Sequence, residues 1–261
     1  MENLRIGLVV PAAGGDQGWL DGAWEASRMW GADGFDPVVV VGSDTGAVEC
    51  CDVLVLHGIQ YLDDARRLAG GRRAVILSDV PAEYRSDPKS FVTPTGVTMI
   101  DWCWWLGAEH AGRAAAAEVA GPIGFVAGPP VPTQQHAAAG FVRGVASVDP
   151  SRRVGVLYLS SFLAEDEGRD AGRLLVEQFG SELVAHSADA PGSEATRAAR
   201  ELGATTYGFL TPVGDDSASI RSAIAPVLDR LVRAALAGED LPGVYECSWE
   251  TGEIRLERPV G

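Results

Sequence analysis

The sequence predicts an α/β chain folded into two parallel-sheet lobes. Three observations predict it. Short apolar runs rich in Val, Ile and Leu alternate with longer segments of helical periodicity, the pattern of strands covered on both faces. The alternation restarts at Gly121-Pro122-Ile123-Gly124, after an alanine-rich helical stretch ending near Val119. The 261 residues suffice for two small domains, and strand-helix alternation implies parallel sheets with crossovers.

Taken in order, the strands are expected at 6–10, 38–41, 53–56, 74–77, 123–126, 154–159, 183–185 and 206–210. Helices are expected at about 19–31, 62–69, 105–119, 134–147, 165–179, 193–202 and 216–237. In the first helix, Leu20, Ala23, Trp24, Ser27 and Trp30 have the three-and-four spacing of one buried face. Gly180, Gly203 and Gly238 follow helical segments where a left-handed cap is needed. Pro226 either kinks the last long helix or begins it. The segments 244–247 and 253–256, around Thr251-Gly252, form a closing hairpin or two short strands. The expected lobes are residues 1–118 with 215–240, and 119–214 with 241–261.

Composition narrows the function. A formal net charge of -15, without clustered Lys and Arg, excludes a nucleic-acid grip. No stretch is apolar enough to insert in a bilayer. Met1-Glu2-Asn3-Leu4-Arg5 runs straight into the first strand without a secretory pattern, so the expectation is a soluble cytoplasmic protein. The alternative is an exported lipoprotein whose leader is not part of this sequence. Cys50, Cys51, Cys103 and Cys247 lack zinc spacing and read as small buried thiols. No metal, cofactor or catalytic triad is expected, since Ser160-Ser161 and Ser78-Asp79 have no base at fixed spacing.

Ligands of open parallel sheets bind beyond the carboxyl ends of the strands. After the first strand comes Pro11-Ala12-Ala13-Gly14-Gly15-Asp16-Gln17-Gly18-Trp19. It has neither the dinucleotide nor the P-loop spacing, and a carboxylate in the loop suits a neutral ligand with hydroxyls better than a phosphate. His57, just after a strand, and Asp101, before Trp102-Cys103-Trp104-Trp105, have comparable addresses. The three tryptophans read as core or hinge packing, or as a ligand wall.

The segment Asp16-Gln17-Gly18-Trp19-Leu20-Asp21-Gly22-Ala23-Trp24-Glu25 resembles the signature loop and helix start of the basic membrane protein family. Further matches are Ala111-Gly112-Arg113-Ala114-Ala115-Ala116, Ile123-Gly124-Phe125-Val126-Ala127-Gly128 and Gly140-Phe141-Val142-Arg143-Gly144-Val145. Ser161-Phe162 with Gly168, and Ala185-His186-Ser187-Ala188 with Gly203-Ala204, follow in order. The resemblance spans nearly the whole chain and is strongest in its middle third. It implies a type I periplasmic-binding-protein-like fold, two doubly wound parallel-sheet lobes joined by a hinge, and a substrate-binding protein that closes these lobes on a purine nucleoside for an ABC transporter.

It also implies roles for residues. Trp19 and Phe162 stand where the family sandwiches the base between two rings, a stack worth about 0.5–1.5 kcal/mol beyond area burial. Asp16 matches the signature aspartate, and Arg221 stands in place of a family lysine. Leu210, Leu20, Pro11 and Ala164 replace polar family residues, which makes the site less polar and more aromatic. The expected ligand-binding set is therefore Asp16, Trp19, His57, Asp101, Phe162 and Arg221. The expected ligand is a nucleoside or nucleoside-like heterocycle. The partner is a transporter permease, or an unknown cytoplasmic protein if the chain is a sensor. A second reading is a cytoplasmic enzyme that uses Asp16, Asp101 or Glu109 as acid-base groups on a nucleoside-like molecule.

Overall fold

A computed structural model describes residues 4–15, 18–70, 74–210 and 215–258. The chain separates into two compact units. One comprises residues 4–15, 19–102 and 223–247, and the other Gly18, 103–222 and 248–258.

In the first unit the elements are β1 (Arg5–Val10), α1 (Trp19–Ala32), β2 (Asp36–Val41), β3 (Val53–Leu56), α2 (Leu62–Leu68), β4 (Ala74–Leu77), α3 (Ala82–Ser86) and β5 (Val97–Asp101). The second unit supplies α4 (Trp104–Glu118), β6 (Ile123–Ala127), α5 (Pro132–Val148), β7 (Val154–Tyr158), α6 (Glu165–Glu177), β8 (Leu183–Ser187), α7 (Asp189–Glu201), β9 (Thr205–Phe209) and β10 (Ala218–Ser222). The chain then returns to the first unit with α8 (Ile224–Leu236) and β11 (Val244–Glu246), and ends in the second with β12 (Ile254–Glu257).

The two sheets repeat one topology. Their orders are β11-β5-β4-β3-β1-β2 and β12-β10-β9-β8-β6-β7. Only β10 with β12 pairs antiparallel among the described strands. In each sheet the second strand lies on one side of the first and the third on the other, so the order reverses between β1 and β3, and between β6 and β8. Such switch points leave a crevice outside the carboxyl ends of the strands.

Each unit has its own core. Leu54, Leu56, Leu77 and Met99 pack with Tyr61 and Tyr84 in the first, and Val126, Leu159, Leu175 and Val184 with Ala195 and Ala199 in the second. Central strands such as β3 and β6 are buried throughout, whereas the edge strands β2 and β7 are half-exposed despite equally apolar sequences. The first helix buries Ala23, Ala26, Ser27 and Trp30, close to the predicted face.

Glycines set the helix spacing in the second unit. A Cβ at Gly144 would lie 2.0 Å from the Glu109 carbonyl oxygen, and one at Gly140 2.2 Å from that of Trp105. Helices α4 and α5 therefore touch backbone to backbone. The pair Gly168 and Gly172 does the same for α6 against α7, at 2.0 and 2.1 Å from the carbonyls of Pro191 and Ala195.

One sequence expectation is corrected. The helix expected over 216–237 begins only at Ile224, because 218–222 is strand β10. Pro226 falls in the first turn of α8, where a missing N–H costs nothing. Of the two forms expected for the closing segments, the structure has the pair of short strands: β11 pairs parallel with β5 in the first sheet and β12 antiparallel with β10 in the second. Strand β5 and the five-residue α3 were not anticipated, since Thr98 and Asp101 break up the apolar run of β5 and α3 is too short to display a period. The three caps hold, with φ of 76° at Gly180, 88° at Gly203 and 75° at Gly238. Of the cysteines, Cys51, Cys103 and Cys247 are buried as expected, but Cys50 is exposed and its sulfur accepts from Arg5 Nη1 at 2.8 Å.

Candidate ligand-binding site

In the first unit, the loop after β1 is drawn onto the start of α1, where the Gly15 amide donates to Asp21 Oδ1 at 2.6 Å. That places Trp19 as the first residue of α1, half-buried. Its ring stacks on His57, with centroids 4.0 Å apart and planes inclined at 30°.

His57 follows β3 at the switch point and is fully buried. Its Nε2 lies 3.1 Å from the Trp19 carbonyl oxygen and its Nδ1 2.8 Å from Ser78 Oγ. A carbonyl only accepts, so Nε2 carries the proton and Nδ1 accepts from the serine hydroxyl. Burial pushes the imidazole pKa down to about 3, outweighing the bond to Trp19. The ring is therefore neutral at physiological pH. Ser78 follows β4, and its carbonyl accepts from Trp102 Nε1 at 3.3 Å.

Asp101 closes β5 and is 6% exposed. Its Oδ1 receives Arg85 Nη1 at 3.1 Å, while Arg85 Nη2 reaches Asp79 Oδ1 at 2.9 Å. One buried guanidinium thus bridges two carboxylates. Desolvation raises the Asp79 pKa against the pull of Arg85. Asp101 is engaged in this network, and Glu109 in ion pairs with Arg113 and Arg143. Asp16 lies outside the described residues.

In the second unit the switch point is spanned by Gln134. Its Oε1 accepts from the Gly128 amide at 2.9 Å and from Ser187 Oγ at 2.6 Å, tying the end of β6 to that of β8. Gln134 is 3% exposed. The Phe162 ring covers Gly128, where a Cβ would meet its Cε1 at 2.3 Å. Beyond β9, Leu210 holds a left-handed φ of 59°. Its amide donates to Ile220 at 2.7 Å and its carbonyl accepts from Arg221 Nη1. Arg221 Nε also faces Glu257 at 3.5 Å.

Leu210, Cys103 and Asp189 are the described non-glycine residues with positive φ. Each follows the carboxyl end of a strand (β9, β5 and β8). Backbone strain of this kind costs on the order of 1–3 kcal/mol and gathers where geometry serves binding. Among the expected residues, Trp19 and His57 are in contact in one unit, and Phe162 and Arg221 lie at strand ends of the other. Ser78, Gln134 and Ser187 were missed as site residues. Ser187 sat in a quoted motif, but the signal for Gln134 and Ser78 is only their position beyond β6 and β4, which requires the strand order.

Two doubly wound units that place aromatic and polar groups at their switch points define a protein of type I periplasmic-binding-protein fold. Residues 111–226 match the sequence profile of the family described as ABC transporter substrate-binding protein PnrA-like. Over this stretch the match bears out the resemblance to the basic membrane protein family. Solved structures agree on the fold. An ABC transporter solute-binding protein from Conexibacter woesei is 18% identical with a TM-score of 0.77, covering 99% of this chain and 90% of its own. An ABC transporter periplasmic solute-binding protein from Actinobacillus succinogenes, solved with bound D-allose, is 13% identical with a TM-score of 0.76, covering 98% of each chain. A transcriptional activator of the comK gene from Bacillus halodurans is 14% identical with a TM-score of 0.77, covering 98% of this chain and 90% of its own. No curated protein matches the sequence. No helix among the described residues is long and apolar enough to cross a membrane.

Proposed function

We propose that the protein reversibly binds a small flat heterocycle, a nucleoside or a close relative, as the substrate-binding component of an ABC transporter. The observation that carries this reading is the setting of Trp19. Its indole begins a helix beside a topological switch point, with one face backed by a neutral imidazole. A ring supported on one side offers the other to a planar guest. Phe162, set over Gly128 at the end of β6, is the second ring of the proposed site, and Arg221 its cation. The family profile over 111–226 supports the transporter role.

Leu210 occupies the position where the family resemblance implies a carboxylate for the ribose diol. A buried leucine there favours a guest with fewer hydroxyls, such as a deoxynucleoside or a free base.

The test is calorimetry and thermal denaturation against a panel of ribonucleosides, deoxynucleosides and nucleobases. A ligand that binds only the folded state at a hundred times its Kd adds about 2.7 kcal/mol of stability. At least one panel member is expected to raise the Tm, and Trp19→Ala is expected to abolish that rise while far-UV circular dichroism stays unchanged. No binding across the panel would overturn the ligand class, and undiminished binding by Trp19→Ala would overturn the site.

A further inference from the structure

Four residues of the first unit form one hydrogen-bonded chain. Trp102 Nε1 donates to the Ser78 carbonyl at 3.3 Å, and Ser78 Oγ–H to His57 Nδ1 at 2.8 Å. His57 Nε2–H donates to the Trp19 carbonyl at 3.1 Å, while the same imidazole stacks on the Trp19 ring. His57 and Ser78 are both completely buried, and both ring nitrogens of His57 are committed. This histidine has no donor or acceptor left for a ligand.

We propose that His57 and Ser78 are a positioning pair that sets the indole of Trp19 as the ligand platform, so that His57 acts on the ligand only through Trp19. The inference rests on the ligand-binding reading of Trp19 given above. A tryptophan at the first position of a helix has no preceding turn to pack against, so its ring is free to choose among rotamers. The imidazole removes that freedom twice, by fixing the residue's carbonyl and by covering one face of its ring. The Trp19 carbonyl sets the tautomer of the imidazole, and the Ser78 hydroxyl, donating to Nδ1, holds the ring in its orientation. Ser78 is tethered by its own carbonyl to Trp102, the last residue before the chain leaves this unit. Ordering the ring before the ligand arrives lowers the entropy lost on binding.

The variants that separate the parts are Ser78→Ala, Ser78→Thr and His57→Phe, each made also in a Trp19→Phe background. Subtracting the near-UV circular dichroism of each pair isolates the Trp19 signal without any ligand. Ser78→Ala is expected to reduce that signal by at least half, and Ser78→Thr, which keeps the hydroxyl, to restore it. His57→Phe keeps a ring beneath the indole but loses both hydrogen bonds, and is expected to fall between. With deoxyadenosine and adenine as probes, Ser78→Ala is expected to weaken Kd by roughly fivefold to tenfold, with Ser78→Thr near the parent.

A Trp19 signal unchanged in Ser78→Ala overturns the proposal, as does a lost signal that Ser78→Thr fails to restore. Should His57→Phe not fold, the serine pair decides alone. If the parent binds neither probe, the heterocycle reading fails, while the ligand-free signal still decides whether the pair positions the ring.

Discussion

His57 and His186 carry the clearest acid sensitivity of the molecule. Both are completely buried, and burial lowers their pKa values to about 3 and about 4 from 6.5. The unfolded chain therefore binds protons there that the folded chain refuses as pH falls below 6.5. Stability is fully present above that pH and drains away on acidification, by about 1.4 kcal/mol per pH unit for each histidine well inside its window. Asp79 works in the opposite sense, since its raised pKa lets the folded state take a proton above the ordinary carboxylate range. Two imidazoles outweigh one carboxylate. The Tm is thus expected to fall between pH 6.5 and 4.5, and His57→Phe is expected to make that slope shallower. An equal slope in parent and variant would show that His57 is already charged in the fold. At this scale the sequence was partly legible. The positions of Trp19 and His57 beyond strands could be read directly. The pairing of Asp101 with Arg85 could not, because it depends on a one-turn helix whose five residues carry no period.

The glycines quoted for the family resemblance acquire a mechanical reason from the paired helices. Gly140 and Gly144 let α5 lie directly on the α4 backbone, and Gly168 and Gly172 repeat the device for α6 and α7. Gly144→Ala forces a methyl into a carbonyl oxygen that cannot move without its helix. It is expected to cost 1–3 kcal/mol or more in urea unfolding. Gly203→Ala makes a contrast: its φ is 88° but nothing lies within 4 Å of the added carbon, so only the left-handed strain of about 1–2 kcal/mol is lost. Equal losses would mean that the close helix contact is not as tight as described. Helices longer than one turn followed from periodicity, and most strands from continuous apolar runs of about four residues. The error over 216–223 has a plain cause. Ala218-Ser219-Ile220-Arg221-Ser222 is too short and too mixed to separate from a helical start, and it becomes a strand because β9 and β12 flank it.

Across the whole molecule, two lobes of parallel sheet were readable from the alternation of runs, but the strand order was not, since apolar runs do not say which neighbour they pair with. The last strands bind the two units into one sequence problem. Strand β11 completes the first sheet beyond β5, and β12 completes the second beyond β10. Removing residues 241–261 is therefore expected to lower the stability of both units at once and to expose two sheet edges, measured as faster amide exchange in β5 and in β10. Loss of protection in β10 alone would count against the shared role. The same arrangement bears on biosynthesis. Until the segment from β11 to β12 has been made, a nascent chain carries two nearly finished sheets whose outer strands offer open rows of N–H and C=O groups. Those edges are templates for pairing with a stranger, so exposure to aggregation, and the need for a chaperone, lasts until β11 and β12 are in place.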